Sequence, residues 1–316
     1  MQVDLTQAIA ILKRGEVVAI PTETVYGLAA DASNDSALRQ IYAIKQRPAD
    51  NPLIVHIADA SQVSNWAAEF PPLAQKLAQA FWPGPFTLVL PAKANVSKIV
   101  RGNQPTVALR VPSHPIALQL LQQSGLALAA PSANKFTQLS PTTAAHVNTG
   151  LGDDVPVLDG GACKVGIEST IVSVEGDNWQ LLRLGMVPEA NIHALAGVPA
   201  LRSNNPLPKA PGQHLLHYSP KTPIKLFASR ETLVEFAALQ KNCAALVFGE
   251  VSGESALPYC KYFSLPNRPD EAAERLYGTL HKMDALKVEL LLVEIPPNTP
   301  EWLAILDRLT RAAHAN

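Results

Sequence analysis

The stretch IYAIKQRPADNPLIVHI, Ile41–Ile57, passes from a helical pattern into a short apolar run, with two cations and a proline at the junction. PLIVHI is short, rich in β-branched residues and bounded by prolines, so it reads as a buried strand. Upstream, DSALRQIYAIKQR has helical spacing, opened by Asp35 or Ser36 as N-cap and closed before Pro48. Lys45 and Arg47 therefore stand two residues apart at the mouth of a core element. A Lys-x-Arg pair is ordinarily a solvated face. Pro48, however, biases Arg47 toward extended backbone, where residues i and i+2 point the same way, so both cations project to one side. A planar guanidinium fork beside a mobile ammonium suits an anion with several oxygens, such as a phosphate.

Outward from this junction the chain alternates. GEVVAI gives a strand over Val17–Ile20, stopped by Pro21 and followed by a polar loop. FTLVLPA, TVALRVP and LALAAPSAN are further strands; PPLAQKLAQAFW and HPIALQLLQQSG are helices, the first stopped by PGP and the second closed by Gly125. This alternation predicts an α/β domain with a mixed sheet over residues 1–200. The composition changes near residue 200, where VPALRSNNPLPKAPGQHLLHYSPKTP carries six prolines. That predicts a linker over residues 201–222. A smaller α/β unit follows over 223–316, with strands in PIKLFAS, NCAALVFG, CKYFSLP and KVELLLVEIP, and helices in RETLVEFAALQ, EAAERLYGTLHKMDAL and EWLAILDRLTRAAHAN.

Composition narrows the function. With 316 residues, 47% hydrophobic and 17% charged, the chain is long enough for two globular cores. No run approaches the roughly 20 apolar residues of a membrane span. The N-terminal stretch carries Asp4 and an amphipathic pattern rather than a signal peptide, which predicts a cytoplasmic protein with no membrane partner. Cys163, Cys243 and Cys260 are widely spaced and form neither a disulfide framework nor a CxxC metal pair. The formal net charge of −1 argues against a protein that coats nucleic acid. Its distribution is uneven: residues 45–135 carry eight Lys or Arg against three Asp or Glu, and residues 136–200 carry two against seven. A basic segment around the opening stretch favours an anionic ligand.

The common nucleotide motifs are missing, since neither GxxxxGK[ST] nor a GxGxxG after a strand occurs. The eight histidines lie far apart, His214 and His217 being the closest pair, which makes a catalytic zinc site unsupported. Ser132 lacks the GxSxG context of a hydrolase nucleophile. Polar residues at strand exits carry more information: Thr22, Glu23 and Thr24; Lys45, Arg47 and Asn51; His56; Thr106 and Arg110; Ser132 and Asn134. In an open α/β sheet, ligands sit at strand ends. Taken singly, each has a local reading as well. Thr24 can cap a turn, His56 can be a core histidine, Arg110 can pair with an acid, and Ser132 with Asn134 can stabilise a loop.

PTETVYGL, KQRPADNPLIVHI, WPGPFTLVL, TVALRVPSHP, APSAN, SPTTAAHV, GIEST and LLRLG occur in this order over the first 200 residues. In order and spacing they resemble the YrdC-like family, whose hallmark Lys-x-Arg and Ser-x-Asn tetrad matches Lys45, Arg47, Ser132 and Asn134 here. HYSPKTP and LDRLTRAA resemble the linker and C-terminal domain of the longer, two-domain members, the threonylcarbamoyladenylate synthases of tRNA modification. Two departures stand out: KFTQLSPT replaces a smaller xSGxxSPT, and GLAAD replaces GLGxxA.

The resemblance implies a YrdC-like twisted mixed sheet with an open basic cavity, and a smaller Rossmann-like second domain. It implies an enzyme that joins L-threonine, bicarbonate or CO2, and ATP, with Mg2+ carried on the ATP. Lys45, Arg47, Ser132 and Asn134 are the catalytic set so implied. Arg47, Asn51, Thr106, Ser132, Ser140, Arg183 and Tyr218 are implied at the nucleotide, and Thr24, His56, Arg110, Ala130 and Ser169 at threonine. The linker is expected to fold over the active site. Possible partners are tRNA and the proteins of the threonylcarbamoyl-transferase complex. The competing reading is a non-enzymatic RNA-binding maturation factor of the same fold, which the absence of RNA-binding motifs weighs against.

Overall fold

The computed structural model describes residues 1–201, 209–212, 217–250 and 259–314. Residues 202–208 and 213–216 of the predicted linker, His214 among them, lie outside the described residues, as do the last two of the final predicted helix. The chain forms two compact units: Met1–Phe136 with Pro141–Lys164 and Glu168–Gln213, and Thr137–Ser140 with Val165–Ile167 and His214–Asn316. Two short segments of the N-terminal sequence, Thr137–Ser140 and Val165–Ile167, thus group with the second unit.

In the first unit ten strands form one mixed sheet: β1 (Gln2–Val3), β2 (Val18–Ile20), β3 (Gly27–Asp31), β4 (Ile54–His56), β5 (Phe86–Pro91), β6 (Thr106–Arg110), β7 (Leu128–Ala129), β8 (Val157–Leu158), β9 (Thr170–Glu175) and β10 (Asn178–Arg183). Their order is β1-β8-β2-β3-β7-β4-β6-β5-β9-β10. The helices are α1 (Leu5–Lys13), α2 (Asp35–Lys45), α3 (Val63–Trp66), α4 (Pro72–Phe81), α5 (Pro115–Ser124), α6 (Ala144–Leu151) and α7 (Glu189–Ala196). The polar loop expected after Pro21 is short, because GLAAD becomes strand β3, paired antiparallel with β2. Its small residues are buried to the last alanine, and such a run carries no period-two signal.

The sheet's alternation decides where the site lies. Val55, Phe86, Leu88, Leu90, Val107, Leu109 and Val172 face the main core with α2 and α4. Their alternates point the other way. On one half of that second face Val18, Ile20, Ala29 and Leu128 pack beneath α1 and α5. On the other half the apolar cluster is small, with Ile54, Val89, Ala108, Ile171 and Leu182 joined by Ala210 from the predicted linker. His56, Thr87, Thr106 and Arg110 share that face by period two, and so form a polar floor on an otherwise apolar sheet.

Helix α2 is capped by Asn34, whose Oδ1 accepts from the backbone N–H groups of Ser36 and Ala37, one residue before the expected cap. Its buried stripe runs Ala37, Leu38, Ile41, Tyr42, Lys45. Lys45 therefore stands one turn beyond Ile41 on the apolar side. Lys45 is helical and Gln46 ends the helix in the left-handed region at φ 53°, so Lys45 and Arg47 are not joined by a continuous extended run.

In the second unit β11 (Ile224–Phe227), β12 (Cys243–Phe248), β13 (Cys260–Leu265) and β14 (Leu290–Glu294) form an all-parallel sheet in the order β11-β14-β12-β13. A Rossmann half places consecutive strands side by side. Here β14 inserts between β11 and β12 instead. The helices are α8 (Arg230–Ala237), α9 (Pro269–Asp284) and α10 (Leu303–Ala313). Gly166 is packed into this unit: a Cβ there would lie 2.3 Å from the Ala273 carbonyl oxygen. Among the described residues no helix is long and apolar enough to cross a membrane.

Gly185 fixes the segment that leads into β9. A Cβ at this position would meet Thr170 N at 2.3 Å and the Ser169 carbonyl carbon at 2.7 Å, and neither backbone atom can yield without moving the strand. Gly185→Ala is expected to cost about 1–3 kcal/mol, read as a fall of several degrees in the melting temperature of the intact protein.

Candidate functional site

Three clusters of buried polar side chains line the ends of these strands. The first is built around Lys45, only 1% exposed. Its Nζ donates to the carbonyl oxygens of Ser132 and Asn134 at 2.6 and 2.5 Å, while its own carbonyl accepts from Phe136 N–H at 2.8 Å. Helix α2 and the loop after β7 are thereby tied together. The guanidinium of Arg47 lies 5.9 Å from the Phe136 ring centroid, and its Nη2 donates to the Pro52 carbonyl at 3.1 Å, next to Asn51. The tetrad residues 45, 47, 132 and 134 are thus gathered, through helix termination and backbone carbonyls. An ammonium carries three N–H donors, so one remains for a ligand on Lys45 after the two carbonyls. Burial, followed by the charge of Arg47, holds Lys45 well below the usual lysine range, and Glu168 opposes the shift.

The second cluster surrounds Arg110, also buried. Its Nη2 pairs with Glu23 Oε1 at 2.6 Å, Nη1 donates to Thr24 Oγ1 at 3.0 Å, and Nε donates to the Gly84 carbonyl at 3.2 Å. Thr24 and Thr22 share a hydroxyl contact of 2.9 Å. Burial pushes the Glu23 carboxyl up, but Arg110 together with the backbone N–H groups of Glu23 and Ser113 outweighs it, and the group stays below the usual glutamate value. His56 is the parallel-register partner of Arg110. Burial, aided by Arg110, pushes its pKa down to about 3, so the imidazole is neutral at working pH.

The third cluster holds Ser169 and Arg183. Ser169 Oγ lies 2.8 Å from Thr87 Oγ1, and Arg183 grips Ser169 through Nε to the carbonyl and Nη2 to the hydroxyl. Arg183 Nη1 donates to the Pro211 carbonyl at 3.1 Å. Lys209 pairs with Asp50 at 2.8 Å on the surface. Residues 209–212 of the predicted linker are in this way fastened to the first unit at both Asp50 and Arg183.

Backbone contacts join the clusters. Gly27 bridges Ser132 in antiparallel fashion, and Ala133 N–H donates to the Tyr26 carbonyl at 2.7 Å, setting the tetrad loop beside the Thr22–Thr24 segment. A Cβ on Gly27 would sit 3.0 Å from Ala130 Cβ, so this approach uses the glycine. Ala130 follows β7 and donates its N–H to the Ile54 carbonyl. Glu168, adjacent to Ser169, is the acid that acts on Lys45. Thr106 begins β6 whereas Arg110 ends it, about 13 Å away at 3.3 Å per residue. These two candidates therefore belong to different ends of the site. Ser140 and Tyr218 belong to the second unit: the Ser140 carbonyl accepts from His281 Nε2 at 3.1 Å, and the Tyr218 ring packs on Tyr277 and beneath Arg308.

Glu168 is not among the residues the sequence singles out, and Glu23 is named there only as one of several polar residues at strand exits. Both stand inside polar runs whose other members drew the attention, PTETVYGL and GIEST, and only contacts across the sheet give them a role. Among the described residues no group of three or more His, Cys, Asp or Glu gathers in a way that could hold a metal ion.

The family model Sua5_yciO_yrdC, described as "Telomere recombination", matches residues 10–185. A second, described as "Threonylcarbamoyl-AMP synthase, C-terminal domain", matches residues 184–314. The chain is 39% identical over 320 residues to the threonylcarbamoyl-AMP synthase of Bacillus subtilis (strain 168), covering 98% of this chain and 92% of that protein. It is 37% identical to the protein of the same name from Pyrococcus abyssi, over 97% and 93%. The crystal structure of P. abyssi Sua5 complexed with L-threonine superposes with a TM-score of 0.88 at 34% identity, covering 98% of this chain and 94% of that one.

The neutral His56 has a measurable consequence. The unfolded chain binds a proton at this residue below pH 6.5, whereas the folded chain does not until pH falls to about 3. Stability is therefore lost as pH falls from 6.5 toward 3. Between pH 7 and pH 5 the share due to His56 is about 2 kcal/mol. Chemical denaturation at the two pH values is expected to show a smaller difference for His56→Gln than for the parent protein.

Proposed function

The chain belongs to the Sua5–YciO–YrdC family, and on that premise we propose that it makes L-threonylcarbamoyl-AMP and pyrophosphate from L-threonine, bicarbonate or CO2, and ATP. The observation that carries this reading is the Lys45 ammonium seated on the Ser132 and Asn134 carbonyls beside Arg47. Burial and the charge of Arg47 both disfavour the Lys45 ammonium, with Glu168 opposing them, and an anion bound at the site offsets that cost. A triphosphate does so.

In the proposed reaction the threonine ammonium gives one proton to bicarbonate, which breaks down to CO2 and water; the free amine then attacks the carbon of CO2 and its second proton passes to solvent water, giving a carbamate. A carbamate oxygen then bonds to the α-phosphorus of ATP as the bond to the bridging oxygen breaks and pyrophosphate leaves. Negative charge is redistributed over phosphoryl oxygens throughout, and the protein's contribution is position and neutralisation. Lys45 and Arg47 supply fixed positive charge at the polyphosphate, with Ser132 and Asn134 completing the tetrad. Asn51, Thr106, Ser132, Ser140, Arg183 and Tyr218 serve the nucleotide. Thr24, His56, Arg110, Ala130 and Ser169 serve threonine. Mg2+ enters with the nucleotide, riding on phosphate oxygens.

The linker's role follows from the same chemistry. The product is a labile mixed anhydride, and a segment that covers it excludes water. The fastening of residues 209–212 beside Asn51 and Arg183 supports that covering role. We place the reaction in the cytoplasm, with the threonylcarbamoyl group passing on to adenosine 37 of tRNA through transferase proteins.

Incubation of the protein with ATP, Mg2+, bicarbonate and L-threonine should yield threonylcarbamoyl-AMP by mass spectrometry, with pyrophosphate release that needs both threonine and bicarbonate. Lys45→Ala or Arg47→Ala is expected to lower that rate at least about 100-fold, with the melting temperature nearly preserved for Arg47→Ala. Full rate in either variant would remove the polyphosphate role, and salt-sensitive RNA binding without turnover would favour the maturation-factor reading.

A further inference from the structure

The Arg110 cluster contains more than a carboxylate binder needs. Glu23 is 7% exposed and already neutralises Arg110 through Oε1, yet its Oε2 is buried with no hydrogen-bond partner. Close by, His56 Nδ1 is likewise buried and unsatisfied. An acceptor-only carboxylate oxygen left alone in a dry site loses the full worth of its hydration, so a donor is the group that restores it. Arg110 in turn has spent three of its five N–H donors on Glu23, Thr24 and Gly84, leaving two in a planar fork.

The charge count decides what fits. Arg110 and Glu23 cancel, and His56 is neutral. A simple carboxylate entering here would bury a net negative charge, and a simple amine a net positive one. A zwitterion adds none. We propose that Glu23 is a specificity-determining residue that accepts the α-ammonium of the amino-acid substrate on Oε2, so that the Glu23–Arg110 pair reads ammonium and carboxylate as one unit. This deepens, and rests on, the threonine-dependent reaction proposed above. The contact survives chemistry: after the nitrogen has lost protons and joined CO2, the carbamate retains one N–H, which the same oxygen accepts. Glu23 is a binding group in this scheme and not the base, because Arg110 keeps its carboxyl acidic.

The test compares ligands as well as variants. Calorimetric titration of the intact protein with L-threonine and with 2,3-dihydroxybutanoate, which replaces the amino group by hydroxyl, should favour threonine by about 10- to 100-fold. Glu23→Gln keeps an oxygen for Arg110 but removes the charge. It is expected to collapse that preference and to raise the KM for threonine by at least about tenfold, with the KM for ATP within about twofold. Glu23→Asp, which keeps the charge, should recover part of the preference. Equal affinity of the unaltered protein for the two ligands would overturn the proposal even if Glu23→Gln failed to fold. So would a folded Glu23→Gln with unchanged threonine KM, or with threonine and ATP KM values raised alike. Absence of threonylcarbamoyl-AMP from the unaltered protein, with the ligand preference intact, would remove the reaction and leave the zwitterion site standing.

Discussion

An ammonium group cannot stay in a protein interior without acceptors, and the position of Lys45 at the end of the apolar stripe of helix α2 forces that problem on the chain. Two backbone carbonyls from the loop after β7 solve it. The solution has consequences beyond the lysine. It ties the loop carrying Ser132 and Asn134 to the helix that carries Lys45 and Arg47, and the Phe136 N–H closes the same contact from the other side. Removing the lysine would therefore loosen the loop as well as the charge.

The second constraint is the sheet. Its strands bury one row of alternates in the main core, and the other row is covered by helices over only half its width. On the other half Arg110, His56 and Thr87 stand where aliphatic residues would, Arg110 and Thr87 bonded to Thr24 and Ser169 and His56 left with a buried, unpartnered Nδ1. Arg110 illustrates the balance. Its buried pair with Glu23 earns little net stability against an apolar replacement, whereas loss of one partner would leave an uncompensated charge at about 3–5 kcal/mol.

The second unit is built on a parallel sheet. Its central strands β14 and β12 read as apolar runs because they are buried on both faces, whereas the edge strands β11 and β13 carry exposed polar residues. Cys243 and Cys260 lie in register on adjacent strands, and burial together with each other's proximity pushes the Cys260 thiol up, which leaves it protonated and unreactive. Asp284, at the end of α9, instead accepts the N–H groups of Lys221 and Thr222, so the unit's first strand is held at its entry by a side chain rather than by a phosphate loop.

Local patterns in the sequence determined the α/β class, the two-unit organisation and the strand alternation in PLIVHI, FTLVL and TVALR. Those signals are local: helical spacing, short β-branched runs bounded by proline, and the proline-rich stretch near residue 200. The resemblance added the tetrad. Strand β3 was not legible, because a run of small buried residues has no period to read, and the hairpin of β9 and β10 carried too little contrast to stand out. A continuous extended run from Lys45 to Arg47 is interrupted, because the helix keeps Lys45 and a left-handed Gln46 makes the turn. Only the tertiary structure could assign Glu23 to Arg110, separated by 87 positions, or bring Glu168 to bear on Lys45. Burial and partnership of charges depend on which distant segments share the low-dielectric interior, and no local pattern of residues encodes that.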